Sequence, residues 1–199
     1  DQTIRLWEIS SGQCLKTWQG HPNWVLAVAM SQNNEFVASS GNNQTIRLWD
    51  ARSGINIRTL EGHSQRVRMI NFSPDGKLLA SGSDERAVRL WEVQSGQCLN
   101  ILRGHTRRIW PVVFSPNGKL LASGSEDQTI KLWEVSSGQC LTTLYGHSSW
   151  VWSLSFSADG AVLASGSSDG TIKLWEIPSG QCLRTLAGHN NWVMSVAFN

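Results

Sequence analysis

Apolar residues in this chain come in short runs, alternating with polar ones or standing together, and each run is cut off by Gly, Pro, Ser or Asn. Ile109 to Phe114, Lys119 to Ser123, Thr129 to Trp133 and Gln139 to Leu144 have the length and patterning of β-strands. Between the first two, Ser115-Pro116-Asn117-Gly118 puts Pro where φ already has its turn value and Gly where φ must turn positive. Ser73-Pro74-Asp75-Gly76 repeats the device, and Ser-Gly pairs ending at Gly12, Gly54, Gly96, Gly138 and Gly180 mark another hairpin turn. Nowhere do apolar residues keep helical spacing long enough to predict a helix. An all-β chain is predicted.

The same sequence of strands is written repeatedly. Runs ending in Trp (Asp1 to Trp7, Asn43 to Trp49, Glu85 to Trp91, Asp127 to Trp133, Asp169 to Trp175) recur every 42 residues, as do Gly-His pairs at His21, His63, His105, His147 and His189. Such a period means one supersecondary unit, each copy burying its faces against its neighbours, and it argues against most single-site enzyme folds. An Asp six residues ahead of a Trp that is followed by Asp or Glu, as in Asp127 to Glu134, resembles the WD40 repeat family. With the Gly-His pair the resemblance covers the whole chain. It implies a β-propeller whose blades are four-stranded antiparallel sheets, strands a to d running outward from a central channel. The expected organisation is one array over 1–199, with strands c and d in 1–20, repeats at 21–62, 63–104, 105–146 and 147–188, and a lone strand a in 189–199. Four complete blades with partial ones at both ends read as part of a larger ring, or as open ends that self-association covers.

Composition narrows the class. A net charge of +2 over 199 residues is too small to advertise a nucleic-acid partner, which needs a concentrated basic stripe. Arg66, Arg68, Arg107 and Arg108 form the only basic clusters worth weighing, and Asp84, Glu85 and Glu126 stand close enough in the repeat to offset them. No apolar run approaches the roughly 18 residues of a membrane helix and no signal peptide precedes Asp1, so a cytoplasmic location without membrane contact is expected. Cys14, Cys98, Cys140 and Cys182 share one site, Gly-Gln-Cys-Leu, with Asn56 standing there in the other copy. Blade spacing keeps them apart, which predicts free thiols and a reducing compartment. One His per unit does not gather the four ligands of a zinc site. No metal and no cofactor are expected.

His105, Ser123 and Asp127 recur as His147, Ser165 and Asp169, and could in principle be a hydrolytic triad. An active site is needed once, however, whereas this set is written into unit after unit with a Trp. The resemblance implies a buried hydrogen-bonded chain of four side chains in each blade: His21, Ser39, Asn43 and Trp49; His63, Ser81, Glu85 and Trp91; His105, Ser123, Asp127 and Trp133; His147, Ser165, Asp169 and Trp175. In the last three the Ser two residues on, Ser83, Ser125 or Ser167, stays an open choice. Asn43 loses the charge and Glu85 is a methylene longer, so both of those networks are expected to be the weaker ones.

Aligned on Gly-His, the third residue after each His reads Trp24, Arg66, Arg108, Trp150 and Trp192, and the fifth reads Leu26, Arg68, Trp110, Trp152 and Met194. Framework positions hardly vary while these switch between Trp and Arg, the side chains most enriched in binding hot spots. The resemblance places them on the top face around the channel mouth and implies a protein or peptide ligand. The competing reading has the Trp residues only filling the channel end or packing between blades. A non-catalytic scaffold or sensor is the expected function. The alternative is the regulatory part of a larger signalling NTPase or kinase, since near-identical tandem units resemble bacterial arrays fused to such enzymes, although no P-loop or kinase motif lies in the chain. A propeller enzyme would need a polar constellation written once near the channel, and none is found.

Overall fold

The computed structural model describes residues 1–198, and among these residues there are eighteen strands and no helix. β1 (Thr3–Trp7) and β2 (Cys14–Gln19) form a two-stranded sheet. Blade I is β3 (Val25–Met30), β4 (Phe36–Gly41), β5 (Ile46–Asp50) and β6 (Asn56–Leu60). Blade II is β7 (Val67–Phe72), β8 (Leu78–Ser83), β9 (Ala87–Glu92) and β10 (Cys98–Arg103). Blade III is β11 (Ile109–Phe114), β12 (Leu120–Ser125), β13 (Ile130–Glu134) and β14 (Cys140–Leu144). Blade IV is β15 (Val151–Phe156), β16 (Val162–Ser167), β17 (Ile172–Glu176) and β18 (Cys182–Leu186). Every sheet is an antiparallel meander in chain order.

The turns close as their residues dictate. In blade III, Ser115 Oγ accepts from Leu120 N at 3.0 Å, Asn117 Oδ1 accepts from Lys119 N at 3.0 Å, and Gly118 takes φ +69°. This bonding holds Lys119 in the turn, so the strand begins at Leu120. It runs on to Ser125 because Gly124 and Ser125 still have partners in Ile130 and Ile109.

The first strand of each blade lies against the first strand of the next, which places β3, β7, β11 and β15 innermost. The core therefore sits between blades. Ala80, Val88, Leu90 and Leu102 of blade II pack against Ile109, Val112, Phe114, Leu121 and Trp133 of blade III, and the other two blade interfaces repeat the arrangement. Trp91, Trp133 and Trp175 are about 1% exposed at these interfaces, whereas Trp7, with no sheet in front of it, is 52% exposed. Gly124 explains why strand b carries Ser-Gly-Ser: a Cβ there would lie 2.6 Å from Val151 Cγ1 of the next innermost strand.

The strand expected over 189–199 does not form within its described part. Residues 192–198 join no ladder, and are tied instead by Val193 N to Ser167 O at 2.9 Å, Val196 N to Ser153 Oγ at 3.0 Å and Phe198 N to Ser155 Oγ at 3.3 Å. An innermost strand takes its ladder bonds from the second strand of its own blade, and among the described residues no such strand stands beside this segment. Asn199 lies outside the described residues. No helix among the described residues is long and apolar enough to cross a membrane.

Candidate functional site

Two sets of side chains were singled out by the sequence, one inside the blades and one on their rim. Inside blade III, Trp133 Nε1 donates to Ser123 Oγ at 2.8 Å, Ser123 Oγ lies 2.9 Å from His105 Nε2, and His105 Nδ1 lies 2.8 Å from Asp127 Oδ2. The indole can only donate and the carboxylate can only accept. His105 Nδ1–H therefore donates to Asp127, and the Ser123 hydroxyl joins the indole to Nε2. Blade IV repeats the distances through Trp175, Ser165, His147 and Asp169. Blade II repeats them through Trp91, Ser81, His63 and Glu85. Ser83, Ser125 and Ser167 have another task, accepting from the amide of Glu85, Asp127 and Asp169 respectively and so shaping the turn after strand b. Ser123 has no exposed surface and its hydroxyl is consumed between His105 and Trp133, so it cannot reach a substrate.

The two atypical blades differ from each other. In blade I, His21 Nδ1 is 3.4 Å from Asn43 Oδ1, Pro22 has no amide to offer where Thr106 N donates to Asp127 in blade III, and Gly41 replaces the turn-shaping Ser. The expectation that Glu85 makes a weak network is not met. Its extra methylene lets Oε1 accept from both His63 Nδ1 and Arg89 Nε at 2.8 Å, while Oε2 accepts from Ser64 N at 2.9 Å and Ser64 Oγ at 2.8 Å. Glu at that position works because Arg stands four residues on; in blades III and IV the same place holds Lys131 and Lys173, which reach Thr143 and Thr185 instead.

Burial pushes the imidazoles of His21, His63 and His147 below their usual pKa, with Glu85 and Asp169 pulling the last two the other way. Burial alone would raise Glu85, Asp127 and Asp169, but bonds from His63 and Arg89, from His105 and Thr129, and from Thr171 and His147 outweigh it and hold all three well below the carboxylate range. A His with a lowered folded pKa costs stability once pH falls below about 6.5, because only the unfolded chain then takes up the proton. A carboxyl with a depressed folded pKa stabilises above about pH 4 and loses that contribution as pH falls further. The melting temperature is therefore expected to hold above about pH 7, slope down from about 6.5 and fall steeply below about 4. A melting temperature unchanged between neutral and mildly acidic pH would mean that these imidazoles are not kept neutral.

The rim set is placed by β-bulges. The pairing of each first strand with its second slips at the fifth position: Val67 faces Ser83 but Met69 faces Gly82, which leaves Arg68 as the extra residue. Leu26, Trp110 and Trp152 occupy the slips of the other blades, with Pro111 beside Trp110 where a ladder N–H is dispensable. A bulge re-aims its side chain, and each of three reaches the residue that opens the turn after strand b in its own blade. Arg68 pairs with both oxygens of Asp84 at 2.8 and 2.9 Å, Trp110 Nε1 donates to Glu126 at 3.1 Å, and Trp152 Nε1 donates to Ser168. Asp84, Glu126 and Ser168 were missed from sequence as members of this set. Their signal was there: that position reads Asn42, Asp84, Glu126 and Ser168, different in every blade, as the fifth position also varies.

These side chains form a ladder across the blades. The Arg68 guanidinium lies 4.5 Å from the Trp110 ring centre, Trp110 and Trp152 are 4.5 Å apart, and Trp152 stacks on Trp192 at 5.8 Å and 24°. Trp150 touches Trp152 at 5.6 Å. Trp24, 69% exposed, Arg66, Leu26 and Met194 lie outside the ladder, exposed on the surface. Arg108, half exposed, sits 3.9 Å from Asp84 and 3.7 Å from Glu126, at an open cleft of about 1160 Å³ between blades II and III that Arg86, Arg107 and Trp150 also edge. The expected offset of the basic cluster thus comes from Asp84 and Glu126, while Glu85 is taken up inside the blade. All four Cys residues are free and exposed on the outer strands.

Comparison with known proteins agrees with this geometry. The family model of the WDR3 first beta-propeller domain matches residues 1–171, and that of the anaphase-promoting complex subunit 4 WD40 domain matches residues 145–199. The chain is 54% identical over 39 residues to the nuclear distribution protein PAC1 of Mycosarcoma maydis, a stretch covering 20% of this chain and 9% of that protein. It is 45% identical over 42 residues to the Lissencephaly-1 homolog of Dictyostelium discoideum, 21% of this chain and 10% of that one. The matched stretches are one repeat long, so what they share with this chain is a blade.

Proposed function

Because this chain belongs to the WD40 β-propeller family, we propose that it is a non-catalytic scaffold or sensor that binds a protein or peptide on the rim carrying the Trp and Arg side chains. The observation that supports this best is the ladder from Arg68 to Trp192. It sets large aromatic surfaces from successive blades side by side, and the indoles of Trp110 and Trp152 are pinned by Glu126 and Ser168. Pinned rings lose little freedom when a ligand covers them, which is how a rigid aromatic surface converts area into affinity. Arg108 adds a guanidinium at the edge of the same surface, held loosely enough to turn toward a ligand carboxylate.

Arg108→Ala is expected to weaken partner capture by about 1–3 kcal/mol without moving the melting temperature, because the side chain is half exposed and its contacts are long. Capture that is unaffected by this change and by Trp192→Ala would sink the rim as the binding face. A nucleic-acid ligand is disfavoured by the carboxylates that face Arg68 and Arg108, and a steep fall of binding with salt would reverse that judgement.

A further inference from the structure

We infer that blade I carries a carboxylate-binding site, formed where Arg47 and His21 face a pocket from which the acid of the repeat is missing. Blades I and II differ at this place. In blade II the Glu85 carboxylate takes bonds from His63 Nδ1, Arg89 Nε and Ser64 N. Blade I keeps the donor half of this arrangement, His21 for His63 and Arg47 for Arg89, but puts Asn43 in place of the acid and Pro22 in place of Ser64. Asn43 turns its amide nitrogen to Thr45 Oγ1 at 2.7 Å and offers His21 only a 3.4 Å contact. Arg47 Nε is left buried with no hydrogen-bond partner among the described residues.

A guanidinium N–H without an acceptor is expensive, and the group that satisfies it best is a carboxylate. There is room for one. A pocket of about 380 Å³ opens between the β1–β2 sheet and blade I, with Gln2 and Gln19 on one wall and His21, Pro22 and Arg47 on the other. Pro22 removes the amide that elsewhere clamps the repeat's own acid, and the two Gln amides supply adaptable donors around the entry. The pocket volume suits a carboxylate on a small free acid or on an acidic side chain of a bound polypeptide. None of these residues belongs to the Trp and Arg ladder, so this site and the rim stand or fall separately.

The test is to follow the Arg47 Nε–H resonance by NMR in the whole chain while adding sodium acetate, or the blocked tripeptide acetyl-Gly-Glu-Gly-amide, at constant ionic strength. In the wild type the resonance is expected to shift saturably. In Asn43→Glu, which supplies the missing acid from within as Glu85 does, it is expected to sit already at the shifted position and not to respond. Arg47→Gln is expected to remove binding, read on the neighbouring His21 ring signals. Saturation by the tripeptide at about tenfold lower concentration than acetate identifies a polypeptide acid as the natural occupant, and equal concentrations identify a small free acid. An Arg47 resonance that ignores both probes, or that responds equally in Asn43→Glu, overturns the site.

Discussion

Ser123→Ala is expected to destabilise the chain by about 2–6 kcal/mol, the sum of two buried groups losing their partners at roughly 1–3 kcal/mol each. Trp133 Nε1 loses its acceptor and His105 Nε2 loses its hydroxyl partner, and all three side chains are buried, Trp133 against blade II. The vacated hydroxyl leaves too little space for a water to bond both. Asp127→Ala should cost less, about 1–3 kcal/mol, because Asp127 lies at the outer end of the same chain, where solvent can serve His105 Nδ1, Thr106 N and Thr129. Urea unfolding midpoints read this order directly. A Ser123→Ala midpoint equal to that of the wild type would remove the buried chain as a stabilising device and reopen the triad reading of His105, Ser123 and Asp127, in which removing a hydroxyl need not cost stability.

The order of these effects shows which parts of the fold could be read in advance. Strand positions and the members of each buried chain are periodic, and periodicity survives in a one-dimensional record: Trp133 and Ser123 are two points of a pattern copied at 42 residues. What was not legible depends on neighbours in space. Glu85 looked too long until Ser64, from the preceding loop, and Arg89, turned back from the next strand, were seen to share its oxygens. The Val193 to Phe198 segment has the alternation of a strand, but alternation gives only a face; the ladder needs a partner that these residues lack. The bulge at Arg68, Trp110 and Trp152 left its mark as an interruption of alternation, with Pro111 beside it, yet the sequence could not say which turn residue each displaced side chain would find.

Trp152 sits where packing and exposure meet, and truncating it together with Trp192 separates the two readings of the rim. Its ring contacts Trp110, Trp150 and Trp192, and its indole nitrogen donates to Ser168. With aromatic pairs contributing about 0.5–1.5 kcal/mol each, Trp152→Ala is expected to lower stability by roughly 1.5–4.5 kcal/mol and to weaken a rim ligand by about 2–4 kcal/mol, since the whole ladder loosens with it. Both quantities fall, so this variant alone cannot tell a binding surface from a plug. Trp192→Ala can. Trp192 is 57% exposed and has one ring neighbour, so its loss should leave the melting temperature nearly in place while cutting affinity by at least about 1 kcal/mol. If Trp152→Ala abolishes binding and stability together while Trp192→Ala leaves affinity untouched, the Trp cluster is a plug between blades, and the ligand has to be sought on the cleft beside Arg108.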